Sequence, residues 1–176
     1  MPNETVLDVA CCTGYGTHLI GQVAKKAIGI DIDEGAIRDA NGRWAADNID
    51  FRVGDLDKIE FPDVDVTISI ETAEHVNNLD HFINQIKKHT KRMFIICTPI
   101  GGTSHAYTEE EKLTPAGECN DFNNLAHIQD IFTDDEWKCH TDFQFGYSGF
   151  AVFYRKPPKV PKGYDKNAYK KGYVHP

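Results

Sequence analysis

A β-branched run that breaks off at small residues restricts this chain more than anything else in it. Thr5 to Ala10 (TVLDVA) reads as a short strand, Cys11-Cys12-Thr13-Gly14 as a tight turn, and Tyr15 to Ala24 (YGTHLIGQVA) as a helix burying Leu19, Ile20 and Val23. The unit then repeats. Ala27 to Ile30 is a second strand ending at Asp31, and Asp33 and Glu34 open a helix running to about Asp47, its acids well placed on the N-terminal dipole. A third strand, Ile49 to Val53, is joined to a fourth, Val64 to Ser69, by a proline-marked connection too short for a full helix, so one crossover helix is expected to be reduced or missing. Leu79 to His89 is amphipathic, with Phe82, Ile83 and Ile86 on one stripe, and feeds a fifth apolar strand, Arg92 to Cys97, closed by Thr98-Pro99. Strands alternating with helices predict a doubly wound α/β arrangement with a parallel sheet covered on both faces.

Beyond Pro99 the periodicity weakens. Ile100 to Ile131 reads as a long Gly-, Asn- and Glu-rich stretch, either a lid over a substrate or a segment of little order, and Thr133 to Glu136 as a capped short helix. Thr141 to Gln144 and Phe150 to Tyr154, separated by Phe145 to Gly149, predict a closing hairpin. The expected fold is a mostly parallel, Rossmann-like sheet with a C-terminal antiparallel hairpin, in one domain over residues 1–155. Residues 156–176 turn to Pro, Lys, Tyr and Gly and read as a basic extended tail.

Charge and cysteine content narrow the function classes. The chain carries a net −8, but the tail holds six lysines against one aspartate, which leaves −13 on residues 1–155. An acidic body repels phosphate backbones, so bare duplex nucleic acid is not a favoured partner, although the tail's lysines and tyrosines suit local contact with a single strand. Five cysteines (Cys11, Cys12, Cys97, Cys119, Cys139) in no CxxC spacing fit reduced thiols better than disulfides or a zinc knuckle. No apolar run is long enough to cross a bilayer, and Met1-Pro2-Asn3-Glu4 lacks the start of a secretory signal, so no membrane partner and a cytoplasmic location are expected.

The turn after the first strand carries the chemistry. Small residues there let a ligand approach the backbone at the carboxyl edge of the sheet, and Asp31 follows Gly14 by seventeen residues, close to the spacing at which a carboxylate reaches a ribose diol. Together they specify an adenosine-type ligand.

At Val6 to Gly16 (VLDVACCTGYG) the sequence resembles the class I S-adenosylmethionine-dependent methyltransferases, and the resemblance extends over roughly residues 4–155. It implies S-adenosylmethionine as cofactor, held by Asp8, Ala10, Thr13 and Gly14 in the loop, by Asp31 with Ile32 at the ribose, and by Asp55 with Leu56 at the adenine. Two positions depart from the family pattern, Ala10 and Cys12, where glycine is usual; a side chain at Cys12 narrows the space for the methionine part. No helix precedes the first strand where the family carries a cap, which leads us to expect exposed apolar surface near the pocket and a homodimer. A nicotinamide fingerprint is not met, since Gly14, Gly16 and Gly21 have the wrong spacing for GxGxxG.

Ser69 to His75 (SIETAEH) follows the fourth strand, where the transferred methyl would face its acceptor. Methyl transfer is an in-line displacement, so the protein aligns the reactants and, for a hydroxyl acceptor, helps remove a proton; Glu71 and His75 are the candidates. The ExxEH spelling resembles ubiquinone-type O-methyltransferases and small-RNA 2′-O-methyltransferases, in which this motif binds a divalent metal, with His127 placed where the second group adds a ligand. Many relatives carry EH without metal. An Asn/Asp-Pro-Pro-aromatic signature is missing, which favours oxygen over nitrogen acceptors. The reading is an O-directed methyltransferase for a small metabolite or sugar; the rivals are a metal-assisted RNA 2′-O-methyltransferase and a non-catalytic S-adenosylmethionine-binding protein. Cys11 and Cys12 read as packing rather than as nucleophiles, Trp44 and Trp137 as core, and His18, His81, His89 and His140 as surface or helix-face residues.

Overall fold

The computed structural model describes residues 2–100, 122, 124–146 and 148–155. Its strands are β1 (Thr5–Val9), β2 (Lys26–Asp31), β3 (Ile49–Val53), β4 (Val64–Ile70), β5 (Thr90–Pro99), β6 (Lys138–Phe145) and β7 (Ser148–Tyr154). They form a seven-stranded sheet in the order β3-β2-β1-β4-β5-β7-β6. β1 to β5 run parallel, and β7 lies antiparallel between β5 and β6. The chain proceeds outward from β1 in one direction to β3, then returns to lay β4 on the other side of β1. That reversal opens a crevice above the carboxyl ends of β1 and β4, where doubly wound sheets take their ligands.

Among the described residues four helices accompany the sheet: α1 (Tyr15–Gly21), α2 (Glu34–Trp44), α3 (Leu79–His89) and α4 (Leu125–Phe132). Asp33 caps α2, its Oδ1 accepting from the amides of Gly35 at 2.6 Å and Ala36 at 3.0 Å. Asn78 caps α3 by accepting from His81 N at 3.0 Å, while Lys87, Lys88 and His89 complement the opposite end of that helix. Phe82, Ile83 and Ile86 turn inward against Phe94 and Ile96 of β5, and Ile128 and Phe132 of α4 extend the same core with Trp137 and Phe153. On the other sheet face Val6, Ala24, Val66 and Met93 form a smaller cluster. Among the described residues no helix is long and apolar enough to cross a membrane.

Several expectations need correction. α1 ends at Gly21, and its buried residue is Thr17; Leu19 is 45% and Val23 58% exposed. The inward stripe is Thr17, Ile20 and Ala24, because the Thr17 hydroxyl finds a buried partner in Asp8. Part of the Ile100 to Ile131 stretch is regular: α4 places Leu125, Ile128 and Phe132 on one side, while residues 101–121 lie outside the described set. Thr133 to Glu136 is a turn rather than a helix, with Asp134 Oδ1 accepting from the amides of Glu136 and Trp137, both at 2.8 Å. His89 is buried, with Nδ1 2.8 Å from Asp63 and Nε2 3.4 Å from Glu60. Trp137 is core, whereas Trp44 is half-buried and stacks on His18 at 4.5 Å. No helix fills the β3–β4 connection, as its length and proline imply. The tail, residues 156–176, falls outside the described residues.

Candidate active site

The turn between β1 and α1 is built from left-handed backbone: φ is +56° at Ala10, +50° at Cys12 and +80° at Gly14. Gly14 has no alternative, since a Cβ there would lie 2.6 Å from the Phe51 ring and 2.7 Å from Ala40. Ala10 and Cys12 thus adopt a conformation that glycine takes without penalty and other residues take at a cost of about 1–2 kcal/mol each. The turn is held by Cys11 N donating to Ile30 O at 3.0 Å and Gly14 N to Cys11 O at 2.9 Å.

Asp31, at the end of β2, locks onto this turn. Its Oδ2 accepts from Cys12 N at 2.8 Å and its Oδ1 from Asp33 N at 2.9 Å, leaving a lone pair on each oxygen for another donor. Asp8 lies behind the turn, 8% exposed, and accepts from Thr17 Oγ1 at 2.6 Å. Burial pushes its carboxyl up to about 6, Thr17 opposes that, and the charge of Asp31 adds to it. Burial, with Asp8 and Asp31 nearby, also pushes the Cys11 thiol up to about 12, which removes it as a nucleophile near neutral pH. Cys12 and Thr13 are exposed.

A cavity of about 550 Å³ opens beside Asp31, lined in part by Ala10, Ile32, Asp55, Leu56, His75 and Val76. That volume is within the usual range for small-molecule sites. Ala10, Asp31, Ile32, Asp55 and Leu56 of the expected cofactor set line it; Asp8, Thr13 and Gly14 shape the turn instead. Hydrogen bonds from Lys58 and from the Asp57 amide hold the Asp55 carboxyl below its ordinary range.

Asp57 and Asn77 also line the cavity, and sequence reasoning missed both. Asp57 accepts from Asn77 N at 3.1 Å, Asn77 Nδ2 at 2.7 Å and Asn78 N at 2.9 Å, fastening the loop after β3 to the loop after β4. Burial tends to raise its carboxyl, and these donors from Asn78 and Asn77 outweigh it, so Asp57 sits below the ordinary carboxylate value. The available signal was a second aspartate two residues after Asp55, facing an Asn-Asn pair that opens a helix.

After β4 the expected catalytic residues part company. Glu71 has φ +49°, donates its amide to Cys97 O at 2.8 Å, and takes its carboxylate toward Cys97 Sγ at 3.4 Å and Ser148 Oγ at 3.3 Å. His75 lines the cavity, and the carboxylate beside its ring is that of Glu74, with Oε1 3.7 Å from His75 Nε2. Thr72 ties this loop to the end of β1 through its hydroxyl, 3.4 Å from Val9 O. His127 accompanies α4, its ring 6.0 Å from Phe122. Among the described residues no three His, Cys, Asp or Glu side chains converge on a point where a metal ion could be held.

The site does fit an adenosyl group: a carboxylate with free lone pairs at the strand edge, an apolar wall of Ile32, Leu56 and Val76, and backbone brought close by the left-handed turn. Comparison with known proteins agrees. Residues 7–96 match the family model described as "Methyltransferase domain". A probable S-adenosylmethionine-dependent methyltransferase of Mycolicibacterium smegmatis is 32% identical over 98 residues, covering 53% of this chain and 37% of that protein. An S-adenosylmethionine-dependent methyltransferase from Mesorhizobium loti superposes with TM-score 0.73 at 12% identity, over 86% of this chain and 91% of the other. Magnesium protoporphyrin IX methyltransferase from Synechocystis, solved with bound SAH, gives 0.67 at 20% identity over 88% and 75%. The chain spans little more than a third of the length of the curated relative from Mycolicibacterium. With its fold, its cofactor-shaped turn and more than half its length matched, the chain belongs to the class I S-adenosylmethionine-dependent methyltransferase family.

Proposed function

We propose that this chain transfers a methyl group from S-adenosylmethionine to an oxygen of a small metabolite or sugar. The observation that carries the reading is Asp31, whose two oxygens are oriented by the amides of Cys12 and Asp33 at the mouth of the cavity. In this reading Asp31 with Ile32 receives the ribose, Asp55 with Leu56 the adenine, and Asp8, Ala10, Thr13 and Gly14 shape the loop that faces the methionine part. The bound sulfonium supplies an electrophilic methyl carbon. The protein's own share is alignment and the removal of the acceptor's hydroxyl proton, which we give to His75 because it lines the cavity; Glu71, its carboxylate turned to Cys97 and Ser148, braces the edge of the site at the end of β4. The acidic body favours a small acceptor over a polyanion. Four cysteines free among the described residues support a reducing, cytoplasmic setting.

Mass spectrometry of the purified protein should find an adenosyl compound, and calorimetry should show S-adenosylhomocysteine binding. Asp31→Ala should weaken that binding by about 1–3 kcal/mol, the loss of charge-assisted hydrogen bonds to a diol. Unchanged affinity in the variant would remove Asp31 from the site and the reading with it. A panel of hydroxyl and amine acceptors with labelled methyl donor then separates oxygen from nitrogen transfer.

A further inference from the structure

We propose that the row of Ile70, Cys97, Phe150 and Phe143 along the rim of the sheet seats the methyl acceptor, and that it selects an acceptor with a flat hydrocarbon body and a neutral or cationic end over a sugar or an anion. The inference rests on the reading of the adjoining cavity as the methyl donor's site and narrows the acceptor within that reading. Strand register lays the floor. Ile70 of β4 stands opposite Cys97 of β5, Cys97 opposite Phe150 of β7, and Phe150 opposite Phe143 of β6. Paired residues share a face of the sheet, so the four form one row. Phe143 is 48% and Ile70 45% exposed, and the rings of Phe143 and Phe150 stack at 4.7 Å. α3 and α4 belong to the core on the opposite face, while α1 and α2 pack over β1 to β3, so the described helices leave this row open.

The row runs into the cavity. β1 and β4 are in register at Val9 and Ser69, which brings Ile70 beside Ala10, and Thr72 follows two residues later; Ala10 and Thr72 both line the cavity. At that junction stands Glu71, its left-handed backbone fixed by the bond from its amide to Cys97 O. Ser148 Oγ at 3.3 Å and Cys97 Sγ at 3.4 Å both donate to Glu71 Oε1. Burial, and after it Glu71 itself, push the Cys97 thiol up to about 11, so it stays protonated and goes on donating at neutral pH. Among the described residues no donor reaches Glu71 Oε2, which leaves that oxygen for a hydroxyl or ammonium of the ligand. An apolar floor with one oriented polar group, carried on strained backbone, is the composition of a small-molecule site. Flat hydrocarbon suits the Phe143–Phe150 pair, whereas a sugar laid there would leave hydroxyls without partners. Asp31, Asp55 and Asp57 on the cavity wall add to the negative potential of Glu71 and turn an anion away.

NMR of the full chain, labelled at isoleucine methyls and phenylalanine rings and saturated with S-adenosylhomocysteine, supplies the test. The probes are 2-phenylethanol, 2-phenylethylamine, 3-phenylpropanoate and glucose. The alcohol and the amine should shift the signals of Ile70, Phe143 and Phe150, and glucose should leave them unmoved. The acid should bind about fivefold more weakly than the amine, and Glu71→Gln should at least halve that preference. Phe143→Ala should weaken the alcohol and the amine about threefold, the loss of one ring contact, with S-adenosylhomocysteine affinity by calorimetry within about twofold. Signals of the row that neither phenyl probe moves in the wild type overturn the proposal whether or not the variants fold. So does glucose shifting them as strongly, or their broadening as protein concentration rises, the mark of a second copy seated on the row. Phenyl binding unchanged in a folded Phe143→Ala overturns it as well. Failure of the wild type to bind S-adenosylhomocysteine would instead refute the proposed function, and the same titrations without it would still report whether the row takes an apolar ligand.

Discussion

Asp8 shows how a single side chain trades stability for placement. It is a buried acid with one hydroxyl partner, and its carboxyl is pushed up to about 6 by desolvation first, with Thr17 opposing and Asp31 adding. In the unfolded chain the same group titrates near the ordinary aspartate value. Between those two values the folded state holds a proton that the unfolded state lacks, so this residue's contribution favours folding increasingly as pH falls through about 6 and levels off near 4. Above pH 6 the charged, buried form costs roughly 3 kcal/mol. Asp8→Asn keeps the acceptor for Thr17 and removes that cost. Urea unfolding should find the variant more stable at pH 8, with the difference from wild type shrinking toward pH 4. The difference is the informative quantity, because Asp50, Asp57 and Asp134 are held below their ordinary values and lose their contributions over more acidic pH. A gap independent of pH would mean that Asp8 is ionised in both states throughout.

The elements separate what pattern can tell from what contact decides. Strands β1 to β4 and helices α2 and α3 were legible from period and, for α2, from capping: β-branched runs, Asp33 at the start of α2, and Phe82, Ile83 and Ile86 on one stripe of α3. α1 was misphased because a polar residue, Thr17, occupies an inward position by bonding a buried acid, which no hydropathy pattern records. α4 is only eight residues long and follows a Gly- and Asn-rich stretch, so its Leu125, Ile128 and Phe132 spacing was lost in weakly periodic surroundings. The place of Asp31 at the end of β2, beside the cavity, was legible from spacing. The Asp57–Asn77 clamp and the separation of Glu71 from His75 were not, since one joins loops twenty residues apart and the other follows from a left-handed backbone at Glu71. The β1–α1 turn offers a test at this scale. Cys12→Gly exchanges a left-handed cysteine for the residue that suits φ +50°, and after allowing for the greater freedom of glycine when unfolded it should gain roughly 0.5–1 kcal/mol. Denaturant midpoints would show it, and a destabilised variant would mean that the cysteine side chain contributes packing that its exposure does not suggest.

At the level of the whole molecule, the sheet and its larger core form a rigid floor while the site is assembled from the chain's turns and loops above it. A ligand that bridges the β1–α1 turn, the end of β2 and the loops after β3 and β4 binds only the folded arrangement of all four. S-adenosylhomocysteine at a hundredfold excess over its Kd should therefore stabilise the fold by about 2.7 kcal/mol, seen as a rise of roughly 5–10 °C in the thermal midpoint. Asp31→Ala at the same ligand concentration should shift less, and an equal shift would place the ligand elsewhere.

The β3–β4 connection has a bearing on how such a molecule diversifies. Where a crossover helix could stand, one wall of the cavity is a short loop anchored to its neighbour by the carboxylate of Asp57. Both strands that it joins are secured by other neighbours in the sheet. Because Phe61 of this loop is buried against Phe82 in the larger core while Asp55, Leu56 and Asp57 line the cavity, changing its length or composition would remodel the chamber and loosen the scaffold together, so at this junction ligand preference and stability are inherited as one trait.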